Sequence, residues 1–243
     1  MTQRFRMVAG PNGSGKTTLV TRLATDYSVN FYTMLNADDV FAAVTRSRSW
    51  FMPFPVAGEA LVAYAAQTSY AESEKRRFIS GEITVEDDCV RFLSPESVNS
   101  YTMALLVNFI QDEFINRGIS FSQETVFSHS SKVAALAKAR AAGFRTYLYF
   151  VSTDDAEINV GRIASRHAQG GHDVPEEKIR ERYERSLKNL PNALPHLSRA
   201  FFFDNSGAEM KYLASYSEEA GFEMSAGVGG VPLWFRNFLD ALP

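Results

Sequence analysis

Residues 10–17 read Gly10-Pro11-Asn12-Gly13-Ser14-Gly15-Lys16-Thr17. This matches G-x-x-x-x-G-K-[ST] in full. The residues before it, Arg4 to Ala9, have the length and apolar content of a short strand, and those from Lys16 to about Tyr27 have the pattern of a helix. A strand before and a helix after is the context the motif requires. The glycines let the backbone turn tightly and aim its N–H groups inward, and those groups join the helix N-terminus in an anion cradle. In such a loop Lys16 reaches β- and γ-phosphates and Thr17 gives its hydroxyl to Mg²⁺. Gly10, Pro11, Asn12, Gly13, Ser14, Gly15, Lys16, Thr17 and the following Thr18 are therefore the expected ATP-binding residues.

Further along the chain, apolar strand-like runs alternate with helical ones. Phe31 to Asn36 reads as a second strand and Ile119 to Gln123 as another. Lys132 to Ala142 reads as an Ala-rich helix stopped by Gly143. Thr146 to Val151 has the length and apolarity of a buried strand. Ser152-Thr153-Asp154-Asp155 caps a helix that ends before Gly170-Gly171. Asp173-Val174-Pro175-Glu176 opens the next helix with a capping-box spacing. Ala200 to Phe203 reads as the last strand, closed by Asp204-Asn205-Ser206-Gly207. This alternation predicts an α/β fold of P-loop NTPase or kinase type, a mostly parallel sheet with helices on both faces. Ligands in such sheets gather beyond the carboxyl ends of the strands, where the loop, Asp38 and Glu124 all fall. The stretch of about 46–95 breaks the alternation. Its helical run from Gly58 to about Phe78, with Ile83 to Leu93 less clear, reads as a mainly helical insertion in one domain spanning 1–243. Glu96 to Asn116 then forms another helix.

The chain has 243 residues, 22% charged and 45% hydrophobic, with a net charge of −3. That is an ordinary globular balance without the basic bias of a general nucleic-acid binder. One cysteine, Cys89, excludes an internal disulfide and a cysteine zinc cluster, and reads as a buried apolar residue. No window has the apolar length of a membrane span and no signal peptide is visible, so the expectation is a cytoplasmic protein without a membrane partner.

Other residues offer chemistry in more than one role. Asp38, just past the second strand, can accept a proton from an attacking hydroxyl. It can equally cap a helix, although Asp39, one residue nearer Val40-Phe41, is the better cap. Glu124 at a strand end can hold an acceptor hydroxyl or a metal-bound water, or lie solvated in a loop. Arg162 and Arg166 share one helix face, and Arg180, Arg182 and Arg185 follow the Gly170-Gly171 break. A mobile arginine segment can stabilise the charge of a transferring phosphoryl group. Glu177, Glu181 and Glu184 are interleaved with these arginines, so most of them are expected at the surface. His129, His167, His172 and His196 show no metal spacing.

Taken together, these blocks resemble the zeta-toxin family of kinases, and more closely its relatives often described as predicted ABC-type ATPases. The matching residues are Gly10 to Thr17, Asn36-Ala37-Asp38-Asp39, Gln123-Glu124-Thr125 and Gly170-Gly171-His172-Asp173-Val174-Pro175. Arg182-Tyr183, Ser186-Leu187 and Asn189-Leu190 complete the pattern. The resemblance implies an ATP- and Mg²⁺-dependent kinase whose acceptor is a small nucleotide-type molecule such as a UDP-activated amino sugar. It implies Asp38 as the base, Lys16 and Thr17 on phosphate and metal, and Glu124, with Thr125 beside it, at the acceptor. Arg162 and Arg166 would meet the γ-phosphate, and a protein antitoxin is a possible partner. Two features depart from the family: the insertion, and His172 close to where a zeta toxin places an arginine. A transporter-type ATPase is excluded, because Ile79-Ser80-Gly81-Glu82 lacks the second glycine of a signature loop. An ATP-gated binding module and a polynucleotide kinase remain alternatives. The second would want a basic groove, and Lys75-Arg76-Arg77 is the insertion's one dense basic cluster.

Overall fold

The structure, a computed structural model, describes residues 2–68, 72–169, 174–225 and 230–242. The chain opens with β1 (Arg4–Ala9), α1 (Lys16–Asp26) and β2 (Thr33–Leu35). It continues through α2 (Ala37–Ser47), β3 (Ser49–Phe51), α3 (Gly58–Gln67), α4 (Glu72–Ile79), β4 (Ile83–Glu86), β5 (Cys89–Phe92) and α5 (Ser100–Asn116). Then follow β6 (Phe121–Thr125), α6 (Ser131–Ala141), β7 (Arg145–Ser152), α7 (Ala156–Ala168) and α8 (Glu176–Ala193). β8 (Arg199–Asp204), β9 (Lys211–Ser217), β10 (Gly221–Met224) and α9 (Leu233–Asp240) complete it. Two compact units result, one formed by the residues up to Met34 with those from Gly118 on, the other by Leu35–Arg117.

The first unit is built on the large sheet, whose strand order is β10-β9-β8-β7-β1-β6-β2. β1 pairs in parallel with β6 and β7, and β7 with β8. Central parallel strands are covered on both faces and read as near-continuous apolar runs. β7 fits this, since every residue from Thr146 to Ser152 is buried. Alternate residues serve opposite faces. Tyr147, Tyr149 and Val151 pack with Val8 against Leu19 and Leu23 of α1. Phe150 points the other way, onto Trp234 of α9 at 5.7 Å. The α/β architecture with a mostly parallel sheet is therefore the one expected from the sequence.

β8 is not the last strand. β9 pairs antiparallel to it and β10 antiparallel to β9. Lys211–Ser217 buries only Leu213 and Ala214, and such a strand offers no continuous apolar run to betray it. This antiparallel margin closes over Phe202, which is fully buried and lies 5.2 Å from both Phe235 and Phe238 and 5.9 Å from Phe222. Truncation of a buried phenylalanine costs about 3–5 kcal/mol. Phe202→Ala should therefore lower the unfolding free energy by that amount in a denaturant titration, and a loss under about 1 kcal/mol would show that this cluster is not part of the cooperative core.

The second unit differs from the mainly helical insertion expected at about 46–95. It is wider, because α5 packs with α2 and α3, and it contains an antiparallel sheet of order β3-β5-β4. The run 83–93 is a hairpin. Glu86 faces Cys89 across the two-residue turn Asp87-Asp88, with Asp87 in the left-handed region at φ 57. The expected long helix from Gly58 ends at Gln67, where Thr68 turns extended. α5 carries the unit's apolar core, with Leu105, Leu106, Phe109, Ile110 and Phe114 buried and Phe54 and Tyr64 edge-on to Phe114 and Phe109. Cys89 is free and buried, as expected.

Candidate active site

The loop that leaves β1 is seated on its neighbours by glycine. A Cβ on Gly10 would lie 2.0 Å from the Val151 carbonyl oxygen at the end of β7. Gly15 has φ +98 and would place a Cβ 2.5 Å from Asn205 Nδ2. Gly15 is also the N-cap of α1, and it brings no side-chain cap. The helix's first N–H groups are thus left to an incoming anion rather than to a Ser or Asp oxygen. Lys16 Nζ donates to the carbonyls of Gly10 (3.0 Å) and Pro11 (2.9 Å), which folds its ammonium over the loop.

The strand order explains what meets the loop. β6 lies beside β1 with Val8 opposite Glu124. Thr17 Oγ1 donates to Glu124 Oε1 at 3.1 Å. The sequence puts Thr17 at the metal and Glu124 at the acceptor, and the structure brings the two together. A hydroxyl and a carboxylate are the hard oxygen donors Mg²⁺ takes, so these residues fit that ion.

On the other side, Asn205 follows β8. Its N–H donates to Ser152 O at 2.8 Å and its Nδ2 to Ser14 O at 2.8 Å. Sequence reasoning does not single out Asn205, because nothing in Asp204-Asn205-Ser206-Gly207 tells that β8 lies next to β7.

Two arginines reach this region. Arg182 of α8 donates from Nη1 to Asn12 Oδ1 at 3.5 Å. Arg162 of α7 donates from Nη2 to Gly207 O at 3.4 Å, and its Nη1 is buried without a hydrogen-bond partner among the described residues. An unsatisfied buried guanidinium nitrogen is costly and would gain from an anionic oxygen. Arg162 lies one residue before Ile163 and three after Asn159, both of which would meet a Cβ on Gly13, so α7 lines the loop. Arg166 stands exposed in the last turn of α7. Arg180 is held by Glu157 and Glu176, and Arg185 by Glu181, as surface pairs. Gly170-Gly171-His172-Asp173 lies outside the described residues. The helix after it begins at Glu176 with Pro175 at its N-cap and no side-chain cap, in place of the expected capping box.

The remaining residues of the α8 pattern hold neighbouring loops. Ser186 Oγ lies 2.6 Å from Val126 O, and Asn189 Nδ2 donates to Phe127 O at 2.9 Å. Between them they hold Phe127 in the left-handed region, φ 68, fully buried. That fixes the turn three residues after Glu124. Tyr183 donates its hydroxyl to Thr153 O at 2.7 Å, and burial pushes its ionisation well up, so it stays a donor.

Asp38 and Asp39 belong to the second unit. The N-cap of α2 is Asn36, whose side chain accepts from Asp38 N at 3.0 Å, and not Asp39. Asn36 is a cap of equal quality to Asp and sits one residue before the helix. Both aspartates therefore occupy the first turn, exposed. Partial desolvation holds the Asp39 carboxyl above the usual range, and the charge of Asp38 adds to this.

A family model described as zeta toxin matches residues 95–209. That stretch, just under half of the chain, is what is similar to the zeta-toxin family. It contains Glu124, Arg162, Arg182, Tyr183, Ser186, Asn189 and Asn205, and the phosphate loop and Asp38 precede it. An uncharacterized protein of Haemophilus influenzae is 32% identical over 69 residues, 28% of this chain and 49% of its own length. The chain thus spans about half of that relative. The PezAT chromosomal toxin–antitoxin system of Streptococcus pneumoniae supplies a similar structure, with TM-score 0.55 and 12% identity over 99% of this chain and 84% of that one. AvrRxo1-ORF1:-ORF2 with ATP is similar at TM-score 0.52 and 15% identity, over 92% of this chain and 61% of that one. At such identities the likeness is one of fold alone. No described helix is long and apolar enough to cross a membrane.

Proposed function

We propose that this protein transfers the γ-phosphate of ATP to a hydroxyl group of a small nucleotide-type acceptor, such as a UDP-activated amino sugar. The observation that carries this reading is the pairing of Thr17 with Glu124 beside a complete phosphate loop. The ATP named with the AvrRxo1 structure and the antitoxin named with PezAT lend it support, and a protein antitoxin is the corresponding partner here.

In this mechanism the loop amides and the Lys16 ammonium hold the β- and γ-phosphates. Thr17 Oγ1 and Glu124 would hold Mg²⁺, which when bound would supply neutralisation of phosphate charge. Asp38 takes the proton of the acceptor hydroxyl as its oxygen attacks the γ-phosphorus in line and the bond to the β-bridging oxygen breaks. The guanidinium of Arg162, with Arg182 and Arg166 as further cations of the same helices, faces the charge on the equatorial oxygens. Thr125, next to Glu124, stays with the acceptor. The test is transfer of labelled γ-phosphate from Mg-ATP to UDP-amino sugars, dinucleotides and short oligonucleotides. Transfer to one class is the expected result, and ATP binding without transfer to any of them would leave a nucleotide-gated binding module.

Glu124 separates two roles. If it holds the metal, Glu124→Gln raises the Mg²⁺ concentration for half-maximal ATP binding by about tenfold or more, as loss of one charged ligand should. If it holds the acceptor, that variant leaves the Mg²⁺ titration alone and raises the acceptor KM.

A further inference from the structure

The carboxylate of Asp204 is buried at the end of β8, and among the described residues no cation pairs with it. A buried carboxylate is tolerable only when donors satisfy it. Three do. Trp234 Nε1 of α9 donates to Oδ1 at 3.0 Å, Ser206 Oγ donates to Oδ1 at 2.6 Å, and Ser206 N donates to Oδ2 at 3.2 Å. Ser206 Oγ in turn accepts from Asp154 N at 2.8 Å, and Trp234 N donates to Asp154 Oδ1 at 3.3 Å. The turn after β8 is thus tied to the turn after β7 and to the C-terminal helix at one buried point. Asn205 stands inside that turn, between Asp204 and Ser206, and its amide is the group that holds Ser14 O of the phosphate loop.

We propose that Trp234 is a positioning residue for the phosphate loop, acting through Asp204 and Asn205. An indole N–H is a donor only, with a single direction. It therefore fixes one rotamer of Asp204, and that rotamer is what presents both oxygens to Ser206. Without the indole donor the carboxylate is left short of a partner and turns toward water. Ser206 loses its anchor, and the Asn205 amide no longer stays 2.8 Å from Ser14 O. The ring itself has a separate job, packing on Phe150 and Phe235, which phenylalanine can largely take over. The C-terminal helix thereby sets the geometry of an anion cradle to which it contributes no group. The consequence for nucleotide affinity rests on the ATP reading above, while the consequence for loop order does not.

The experiment compares wild type, Trp234→Phe, Asn205→Ala and the double variant by calorimetric titration with Mg-ATP and by hydrogen exchange of the ligand-free proteins. Trp234→Phe should weaken Mg-ATP by about 5- to 10-fold, the size of a lost hydrogen bond to a charged group. It should weaken it no further once Asn205 is alanine, because both substitutions break one relay. Exchange in the peptide covering 10–17 should quicken in each single variant. A purely structural Trp234 would lower the unfolding temperature but give additive effects on affinity and unchanged exchange in 10–17, and either result overturns the proposal. Should Trp234→Phe fail to fold, Ser206→Ala breaks the same anchor in a half-exposed turn and must show the same coupling to Asn205. If wild type binds no Mg-ATP, the ATP reading falls, and the exchange of 10–17 still decides the relay.

Discussion

In Asp38→Asn, transfer of γ-phosphate should fall by about 10²–10⁴-fold, the range general-base catalysis supplies, while Mg-ATP affinity stays within about twofold of wild type. The amide keeps the size of the carboxylate but cannot take a proton. The local fold has little reason to respond. The cap of α2 is the Asn36 side chain accepting from the Asp38 main-chain N–H, and that bond survives any side chain at 38 that leaves the N–H in place. Loss of one exposed negative charge in the first helical turn costs only about 0.3–1 kcal/mol. The same substitution at Asp39, the neighbour whose carboxyl is held above the usual range by partial desolvation, provides the control and should leave transfer within about threefold, in line with an ordinary surface change. If Asp38→Asn retained a tenth of wild-type transfer, or if Asp39→Asn had the larger effect, the base would have to be sought elsewhere.

Both aspartates stand out in the sequence while their roles stay open there, and this reflects what a sequence carries. The phosphate loop is legible in full, because its chemistry is local: eight consecutive residues between a strand and a helix. β7 is legible because burial on both faces writes itself as an apolar run. The cap of α2 is harder. Asn36, Asp38 and Asp39 are all good caps, the pattern favours Asp39, and only the first backbone turn decides for Asn36. The hairpin of β4 and β5 is hidden because its turn is Asp87-Asp88, with no glycine to mark a left-handed residue. The partners of the loop are legible only in part: the strand ends place Glu124 in its neighbourhood but not on Thr17, and nothing in the sequence points to Asn205. Glu124 meets Thr17 across 107 residues and Asn205 meets Ser14 across 191. Both contacts depend on β6 and β7 flanking β1, with β8 next to β7. Strand order is a property of crossovers, and no residue type announces it.

Gly10→Ala should abolish tight nucleotide binding, with Mg-ATP weakened by more than about 100-fold, close to 3 kcal/mol. The added methyl would lie 2.0 Å from Val151 O, 2.9 Å from Ser14 Oγ and 3.1 Å from the Val151 carbonyl carbon. The first of these is far inside van der Waals contact, and the atom met is backbone, not the end of a flexible side chain. Nor can that backbone yield, because β7 is hydrogen-bonded between β1 and β8. The loop must therefore move, and its φ of +150 is itself a conformation an alanine resists. Movement at Gly10 displaces the carbonyl that receives Lys16 Nζ and, just beyond it, the Pro11–Ser14 turn that closes at 3.3 Å. The cradle's donors then no longer converge on one oxygen, and convergence is what makes an anion site out of amides. Gly161→Ala on α7 is the matched control. Nothing lies within 4 Å of its added methyl, so it should bind Mg-ATP as wild type does and gain about 0.5–1 kcal/mol of stability from the better helix former. Equal affinity in the two variants would mean that the phosphates do not sit in the loop from Gly10 to Thr17. The reading of this chain as a kinase would then lose its foundation, whatever Asp38 does.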